Sequence, residues 1–130
     1  MARIKVFTTG GTIDKVYFDA ASAFEVGESV IDHILREALV DYEFESVSLM
    51  RKDSLEMSDE DRSRIRAAIE ADAATRIIVT HGTDTMVDTA LALEGLDDKT
   101  IVLTGALTPA RFRSTDAIFN VGMAVAAVQR

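Results

Sequence analysis

Short apolar runs alternate along the chain with longer stretches in which apolar residues recur every three or four positions. This alternation is typical of parallel β-strands that are joined by crossover helices. The predicted strands are Ile4–Thr8, Ser46–Leu49, Ile77–Thr80 and Ile101–Thr104. The last two runs are β-branched and continuously apolar, which predicts central strands buried on both faces.

Helical periodicity marks the segments between these strands. The predicted helices begin near Ser29, Ser58, Thr85 and Asp116. Ser58 is followed three residues later by Asp61, which indicates an N-terminal cap, and Gly95 suits the end of the third helix. We therefore expect an α/β fold of three layers, Rossmann-like, with a mainly parallel sheet and helices on both faces.

One long connection, Asp14–Glu28, matches neither the helical nor the strand pattern. A connection of this length without regular structure is more typical of a functional loop or lid than of a simple turn. We predict an irregular loop here.

Composition narrows the class of protein. With 130 residues the chain has the length of one domain, and we expect residues 1–130 to fold as a single unit. The formal net charge of −8 argues against nucleic-acid and anionic-membrane partners, because phosphate groups demand a basic face. The chain has no cysteine and two histidines, so neither a disulfide framework nor a multi-histidine metal site is expected.

No signal peptide or membrane span is visible, so we expect a cytoplasmic protein.

Two threonine-rich turns follow predicted strands. Thr8–Ile13 comes directly after one apolar run, and His81–Thr85 comes directly after another. In parallel sheets, ligands bind in the crevice outside the carboxyl ends of the strands. Gly10 and Gly11 remove side-chain bulk and permit positive φ angles, so the backbone can approach a ligand closely. The two turns are therefore predicted to share one hydroxyl-lined site.

The residue types of these turns permit nucleophilic chemistry. Thr12 and Thr83 are candidate nucleophiles, since a threonine hydroxyl attacks once a base removes its proton. Lys15, Tyr17 and Asp84 are the nearby groups that would activate or orient them. The same threonines and aspartate are also ordinary turn and helix-capping residues. His81 is either a general base or a hydrogen-bonded structural residue, and the sequence leaves both open.

The motifs at these turns resemble a known family. Thr9-Gly10-Gly11-Thr12-Ile13 and His81-Gly82-Thr83-Asp84-Thr85-Met86 look like the two signature motifs of the bacterial-type L-asparaginases. The segment Asp53–Ser58 is similar to the family segment whose serine binds the substrate carboxylate. In its whole length the chain resembles an asparaginase amino-terminal domain.

The resemblance implies hydrolysis of L-asparagine to L-aspartate and ammonia through a threonine nucleophile and an acyl-enzyme, without a metal or organic cofactor. The catalytic residues it implies are Thr12, Tyr17 and Thr83, and the substrate-binding residues are Gly11, Ser54 and Asp84. Thr12 would attack the side-chain amide. Ser54 would bind the α-carboxylate and Asp84 the ammonium group.

Three departures from the family pattern keep alternatives open. The family's second catalytic threonine works with a lysine after the next strand, yet no lysine follows Lys99, which leaves Lys15 as one possible substitute. Leu55 stands where many members have a glutamine. Typical members also carry a second domain that these 130 residues do not supply, so a compact single-domain relative and a fragment are both open. The main alternative is a non-catalytic module that binds asparagine or aspartate.

A third interpretation is an assembly domain that associates through the apolar last helix. It is compatible with catalysis, and we expect a homo-oligomer. The sequence does not decide between asparagine and glutamine, because one methylene in a pocket is worth only about 1–3 kcal/mol.

Overall fold

A computed structural model describes residues 3–17, 24–26, 30–38 and 43–130. These ranges contain six strands, namely β1 (Ile4–Gly10), β2 (Lys15–Tyr17), β3 (Phe24–Val26), β4 (Phe44–Lys52), β5 (Arg76–Thr80) and β6 (Thr100–Thr104). The α-helices are α1 (Ile31–Glu37), α2 (Asp59–Ala71), α3 (Met86–Ala92) and α4 (Ala117–Val128). Two single turns of 3-10 helix, Thr12–Asp14 and Ser54–Glu56, follow β1 and β4.

The main sheet is parallel and has the order β4-β1-β5-β6. After β1 the chain first adds β4 on one side and then crosses to add β5 on the other. The strand order therefore reverses between β1 and β5, which makes this pair the topological switch point of the sheet.

Helices cover both faces of the sheet. The buried faces of α1 and α4 pack with Ile4, Val6 and Ile78 in one core. The opposite core joins α2 and the end of α3 to strand residues that include Phe7 and Val79. Side chains alternate between the two faces along each strand, so the predicted three-layer α/β architecture is confirmed.

The prediction for β6 was wrong in one respect. Its neighbour β5 is central and Ile77, Ile78 and Val79 are each 0% exposed, as expected. In the described part of the chain, however, β6 lies at an edge of the sheet, and its apolar residues 101–103 are only half-buried. A continuous apolar run identifies a strand but does not say whether a second neighbour is paired with it.

The prediction for the connection Asp14–Glu28 also needs correction. Within it, β2 and β3 form a two-stranded antiparallel sheet, in which Lys15 pairs with Val26 and Tyr17 with Phe24. Three-residue strands are too short for periodicity to reveal. Residues 18–23 and 27–29 lie outside the described part of the chain.

The predicted helix signals have mixed outcomes. Ser58 caps α2 as expected, because its hydroxyl accepts the Asp61 N–H at 3.1 Å while Asp61 accepts the Ser58 N–H at 3.0 Å. Gly95 has a φ of 89° shortly after α3 ends. Ser29 lies outside the described residues. In the part of the chain that is described, no helix combines the length and apolar character of a membrane span.

Candidate functional site at the carboxyl edge of the sheet

The two threonine-rich turns follow the strands of the switch point. The turn at Thr12 follows β1, and the turn at His81 follows β5. Thr9 connects these strand ends, since its buried hydroxyl donates to the Thr80 carbonyl oxygen at 2.7 Å. The parallel pairing places both turns at the same edge of the sheet, as the sequence predicted.

Gly11 brings the first turn into contact with the second. Its φ is 85°, and a Cβ atom built on it would lie 2.5 Å from the Gly82 nitrogen and 2.7 Å from the Gly82 Cα. No side chain fits there. The Gly11 N–H donates to the Lys52 carbonyl at 2.9 Å, so it is already engaged, and the residue serves the site by allowing close approach rather than as a free donor.

Ser54 brings the turn after β4 to the same place. A Cβ on Gly82 would lie 2.7 Å from the Ser54 Cβ and 2.8 Å from its Oγ. The Ser54 side chain accepts the Asp84 N–H at 3.1 Å, and the Ser54 carbonyl accepts the Thr85 hydroxyl at 2.9 Å. Ser54 is 1% exposed. Three turns, from three neighbouring strands, therefore touch without intervening side chains.

Exposure differs among the predicted site residues. Thr83 and Asp84 are exposed, Thr12 is half-buried, and Ser54 is buried beneath them. Tyr17 lies in β2 by its backbone, but its side chain is outside the described part of the structure. The structure therefore brings together the turns that carry five of the six predicted residues, while the placement of the Tyr17 hydroxyl stays a prediction.

Two ion pairs flank the Ser54 turn. The Lys15 ammonium lies 3.0 Å from the Asp53 carboxylate and so connects the Thr12 turn to the Ser54 turn. The Lys52 ammonium lies 2.8 Å from the Asp61 carboxylate. That lysine and the Ser58 N–H together lower the pKa of Asp61 to about 2. Neither pairing was predicted from the sequence, because the partners come from different elements.

His81 is completely buried and hydrogen-bonded at both ring nitrogens. Its Nδ1 lies 2.7 Å from the Gly82 carbonyl oxygen, and its Nε2 lies 2.7 Å from the Thr89 hydroxyl. A carbonyl oxygen only accepts, so Nδ1 carries the proton and donates. Burial lowers the pKa of His81 below its ordinary value of 6.5, and the charge of Arg62 acts in the same direction. Of the two predicted roles, the contacts favour the structural one.

The loop after β6 also packs against the turns at the carboxyl ends of the strands. Gly105 packs against the His81 carbonyl, with no space for a side chain. Further along this loop, the Ala110 N–H donates to the Ile13 carbonyl at 3.0 Å. Sequence reasoning did not assign Gly105 to the site, although a glycine directly after a predicted strand was an available signal.

Metal-binding side chains are not gathered at this edge. Over the ranges that the structure describes, no three histidine or acidic residues come together as a metal site. What the site offers is hydroxyl groups, backbone amides and the Asp84 carboxylate, which suit a small polar ligand with an ammonium group.

Comparison with known proteins identifies the family of this fold and site. A family model described as the amino-terminal part of asparaginase matches residues 3–130. The chain belongs to the asparaginase family. The two signature turns of the family resemblance are the ones that meet at the switch point.

Individual asparaginases are similar over nearly the whole chain. A probable periplasmic L-asparaginase of Haemophilus influenzae is 32% identical over 96% of this chain and 38% of its own length. L-asparaginase 2-3 of Saccharomyces cerevisiae is 35% identical over 94% of this chain and 36% of its own. The crystal structure of a probable cytoplasmic L-asparaginase from Campylobacter jejuni aligns with a TM-score of 0.79 and 28% identity, covering 98% of this chain and 40% of that one. The chain thus spans roughly two fifths of the length of these asparaginases.

The contact between turns predicts that Gly82→Ala disrupts the site. The new methyl group overlaps the Ser54 side chain, and relief of such overlap typically costs about 1–3 kcal/mol. We expect a lower free energy of unfolding by urea denaturation. Gly122→Ala is the matched control, because nothing lies within 4 Å of its Cβ position in α4, and alanine in a helix is favoured over glycine by about 1 kcal/mol. Equal stability changes in the two variants would contradict the packing described.

The burial of His81 predicts a neutral ring with its proton on Nδ1. We expect nitrogen NMR of a His33→Asn variant, which leaves His81 as the one histidine of the sequence, to show this tautomer and a mainly neutral ring at pH 6.5. Because the unfolded chain binds the proton more readily than the folded one, the free energy of unfolding should fall as the pH drops below 6.5. A ring protonated at its ordinary pKa would contradict this environment.

Proposed function

We propose that this chain is an amidohydrolase that converts L-asparagine and water to L-aspartate and ammonia. The observation that carries the proposal is the direct contact of the Gly11, Gly82 and Ser54 turns at the switch point. That contact brings the turn of the proposed nucleophile beside those of the proposed carboxylate-binding and ammonium-binding residues. Membership of the asparaginase family supports the reaction class.

The proposed nucleophile is Thr12. Its Oγ attacks the side-chain amide carbon and gives up its proton, the carbon–nitrogen bond breaks, and the nitrogen takes a proton and leaves as ammonia. An ester on Thr12 remains. Water then attacks the ester carbon, aspartate leaves, and the threonine hydroxyl is restored. In this proposal Thr83 orients the water or the nucleophile, and Tyr17 assists the attack.

The proposed substrate contacts follow from the polar groups of the turns. Ser54 accepts one hydrogen bond from the Asp84 N–H, so its own hydroxyl proton is available to donate to an α-carboxylate. The exposed carboxylate of Asp84 would pair with the α-ammonium group. Gly11 contributes the close approach that lets Thr12 stand next to these groups.

One contact favours a second candidate, the binding module without catalysis. The Lys15 ammonium is engaged with Asp53 at 3.0 Å, and an ammonium group has no lone pair with which to take a proton. If no other group deprotonates Thr12, the site binds asparagine or aspartate without turning it over.

We also propose that the chain works in the cytoplasm. The similar Campylobacter jejuni protein is named as probably cytoplasmic, whereas the Haemophilus influenzae relative is named as periplasmic.

Self-association is proposed through the β6 edge. The flanking α4 carries no charged residue over 117–128, and Phe119 and Met123 are 71% and 57% exposed on it. On the other side of the edge, Val87 and Leu91 of α3 are 72% and 58% exposed. A two-fold axis beside β6 would pack each of these surfaces against its own copy, which removes a contiguous apolar patch from water.

The proposed reaction predicts release of ammonia from L-asparagine and its loss in Thr12→Ala. Removing the nucleophile of an acyl-enzyme mechanism reduces kcat by a factor on the order of 10⁴ or more. Coupled detection of ammonia at saturating substrate measures this, with L-glutamine run in parallel. Thr75→Ala is the matched control, because Thr75 is exposed directly before the amino end of β5, and turnover by this variant should stay unchanged.

Calorimetry with L-aspartate separates the two candidate functions. Binding that weakens in Asp84→Asn, without turnover of asparagine by the unmodified chain, would favour the binding module. Turnover that survives in Thr12→Ala would show that another group is the nucleophile. Neither turnover nor binding would contradict both candidates.

The β6 edge predicts a dimer or larger assembly in light scattering. Phe119→Glu introduces a charge into the proposed interface and should shift the mass toward the monomer. Leu55→Glu is the control, since Leu55 is 77% exposed in the turn after β4, at the other edge of the sheet. A monomer at all concentrations before mutation would refute self-association.

A further inference from the structure

A chain of side-chain hydrogen bonds runs from α2 to the turn after β5. The Arg62 Nε–H group donates to the Thr89 hydroxyl at 3.1 Å, and that hydroxyl lies 2.7 Å from His81 Nε2. His81 Nδ1 in turn lies 2.7 Å from the Gly82 carbonyl. Arg62 is 9% exposed, while Thr89 and His81 are 0% exposed. These contacts form the Arg62–Thr89–His81 relay.

The direction of each hydrogen bond is fixed by the groups at the two ends. The Gly82 carbonyl can only accept, so His81 donates from Nδ1 and accepts at Nε2. The guanidinium can only donate, so Thr89 accepts from Arg62 and gives its own proton to His81. Every buried group in the relay is therefore satisfied in one arrangement, and removal of the Thr89 hydroxyl leaves two donor or acceptor sites without partners.

Arg62 supports this arrangement in a second way. Burial is the main cause that lowers the pKa of His81, and the charge of Arg62, which is paired with the exposed Asp59 at 3.2 Å, acts in the same direction. A protonated ring would have a donor at Nε2 and would oppose the Thr89 proton. Burial and the cation together favour a ring whose Nε2 is an acceptor.

The end of the relay sets the orientation of one peptide group at the candidate site. The Gly82–Thr83 peptide is planar and trans, so its carbonyl and its N–H group point in opposite directions. With the carbonyl turned to the buried His81 ring, the Thr83 N–H is directed away from the ring. Gly82 also lies closely packed between Gly11 and Ser54, which restricts its position. The hydrogen bond from His81 restricts the rotation of the Gly82–Thr83 peptide.

We propose that Arg62 and Thr89 are positioning residues for the asparagine site: acting through His81, they hold the Gly82–Thr83 peptide so that the Thr83 N–H is presented to the substrate. The inference rests on the proposed amidohydrolase function. A backbone donor placed in this way would stabilise the negative charge that develops on the amide oxygen during attack, and the loss of such a donor costs about 10²–10³ in kcat.

The decisive variant is Thr89→Val, which keeps the shape of the side chain and removes the hydroxyl. We expect kcat for asparagine to fall about 10- to 100-fold, with KM changed little, because a misoriented donor acts on the transition state more than on binding. Thr89→Ser keeps the hydroxyl and should restore kcat. Thr75→Val is the matched control for a threonine-to-valine change away from the site, because Thr75 is exposed at the opposite, amino end of β5.

Arg62→Gln tests the outer end of the relay, and Arg64→Gln on the exposed side of the same helix is its control. Arg62→Gln should lower kcat, as Thr89→Val does, whereas Arg64→Gln should leave kcat unchanged. All rates are expressed per folded molecule, as measured by urea denaturation, so a purely structural role would leave kcat unchanged and would overturn the inference.

A second measurement does not depend on turnover. The NMR shifts of the Gly82 carbonyl carbon and the Thr83 amide nitrogen report the orientation and hydrogen bonding of this peptide. We expect both to move in Thr89→Val and to return in Thr89→Ser. If the unmodified chain has no asparaginase activity, the proposed function fails, and these shifts still decide the relay: unchanged shifts in Thr89→Val would overturn it.

Discussion

The close packing of three turns at the carboxyl ends of the strands is the constraint on which the site depends. Gly11, Gly82 and Ser54 lie so close that a Cβ on either glycine would come within 2.9 Å of its neighbour's atoms. This proximity leaves no space for a side chain on either glycine. Because each turn is anchored to a buried strand, the separations between their functional groups are set by the 4.7–4.9 Å spacing of the sheet rather than by flexible loops.

Two ion pairs connect the same turns to neighbouring elements. The Lys52 backbone carbonyl receives the Gly11 N–H, while the Lys52 ammonium is paired with Asp61 at the start of α2. On the other flank, Lys15 bridges to Asp53. Asp61 is buried, whereas Lys15, Lys52 and Asp53 are partly exposed. Both pairs join successive elements around Ser54, so we assign their effect to the geometry of the site.

Features that follow from local sequence patterns could be predicted, whereas features that depend on pairing between distant segments could not. The parallel strands, the α2 cap at Ser58 and the meeting of the two threonine turns follow from local patterns together with the rule that parallel strands end at one edge. The hairpin of β2 and β3 was missed because three residues carry no period. The position of β6 at an edge was missed because hydrophobicity records burial of side chains and not which backbone groups are paired.

The interactions of His81 show the limit most clearly. A histidine that follows a strand next to candidate nucleophilic threonines suggests a general base, and only the contacts of its two nitrogens favour the structural role instead. Those contacts are made by Gly82, its neighbour in sequence, and by Thr89, which lies in the following helix α3. Both nitrogens of the neutral, buried ring are engaged, Nδ1 as a donor to the Gly82 carbonyl and Nε2 with the Thr89 hydroxyl, so we assign to His81 an effect on Thr83 through the Gly82–Thr83 peptide. In the proposed reaction, the chemistry is therefore assigned to hydroxyl groups and backbone donors, and the histidine acts on their position.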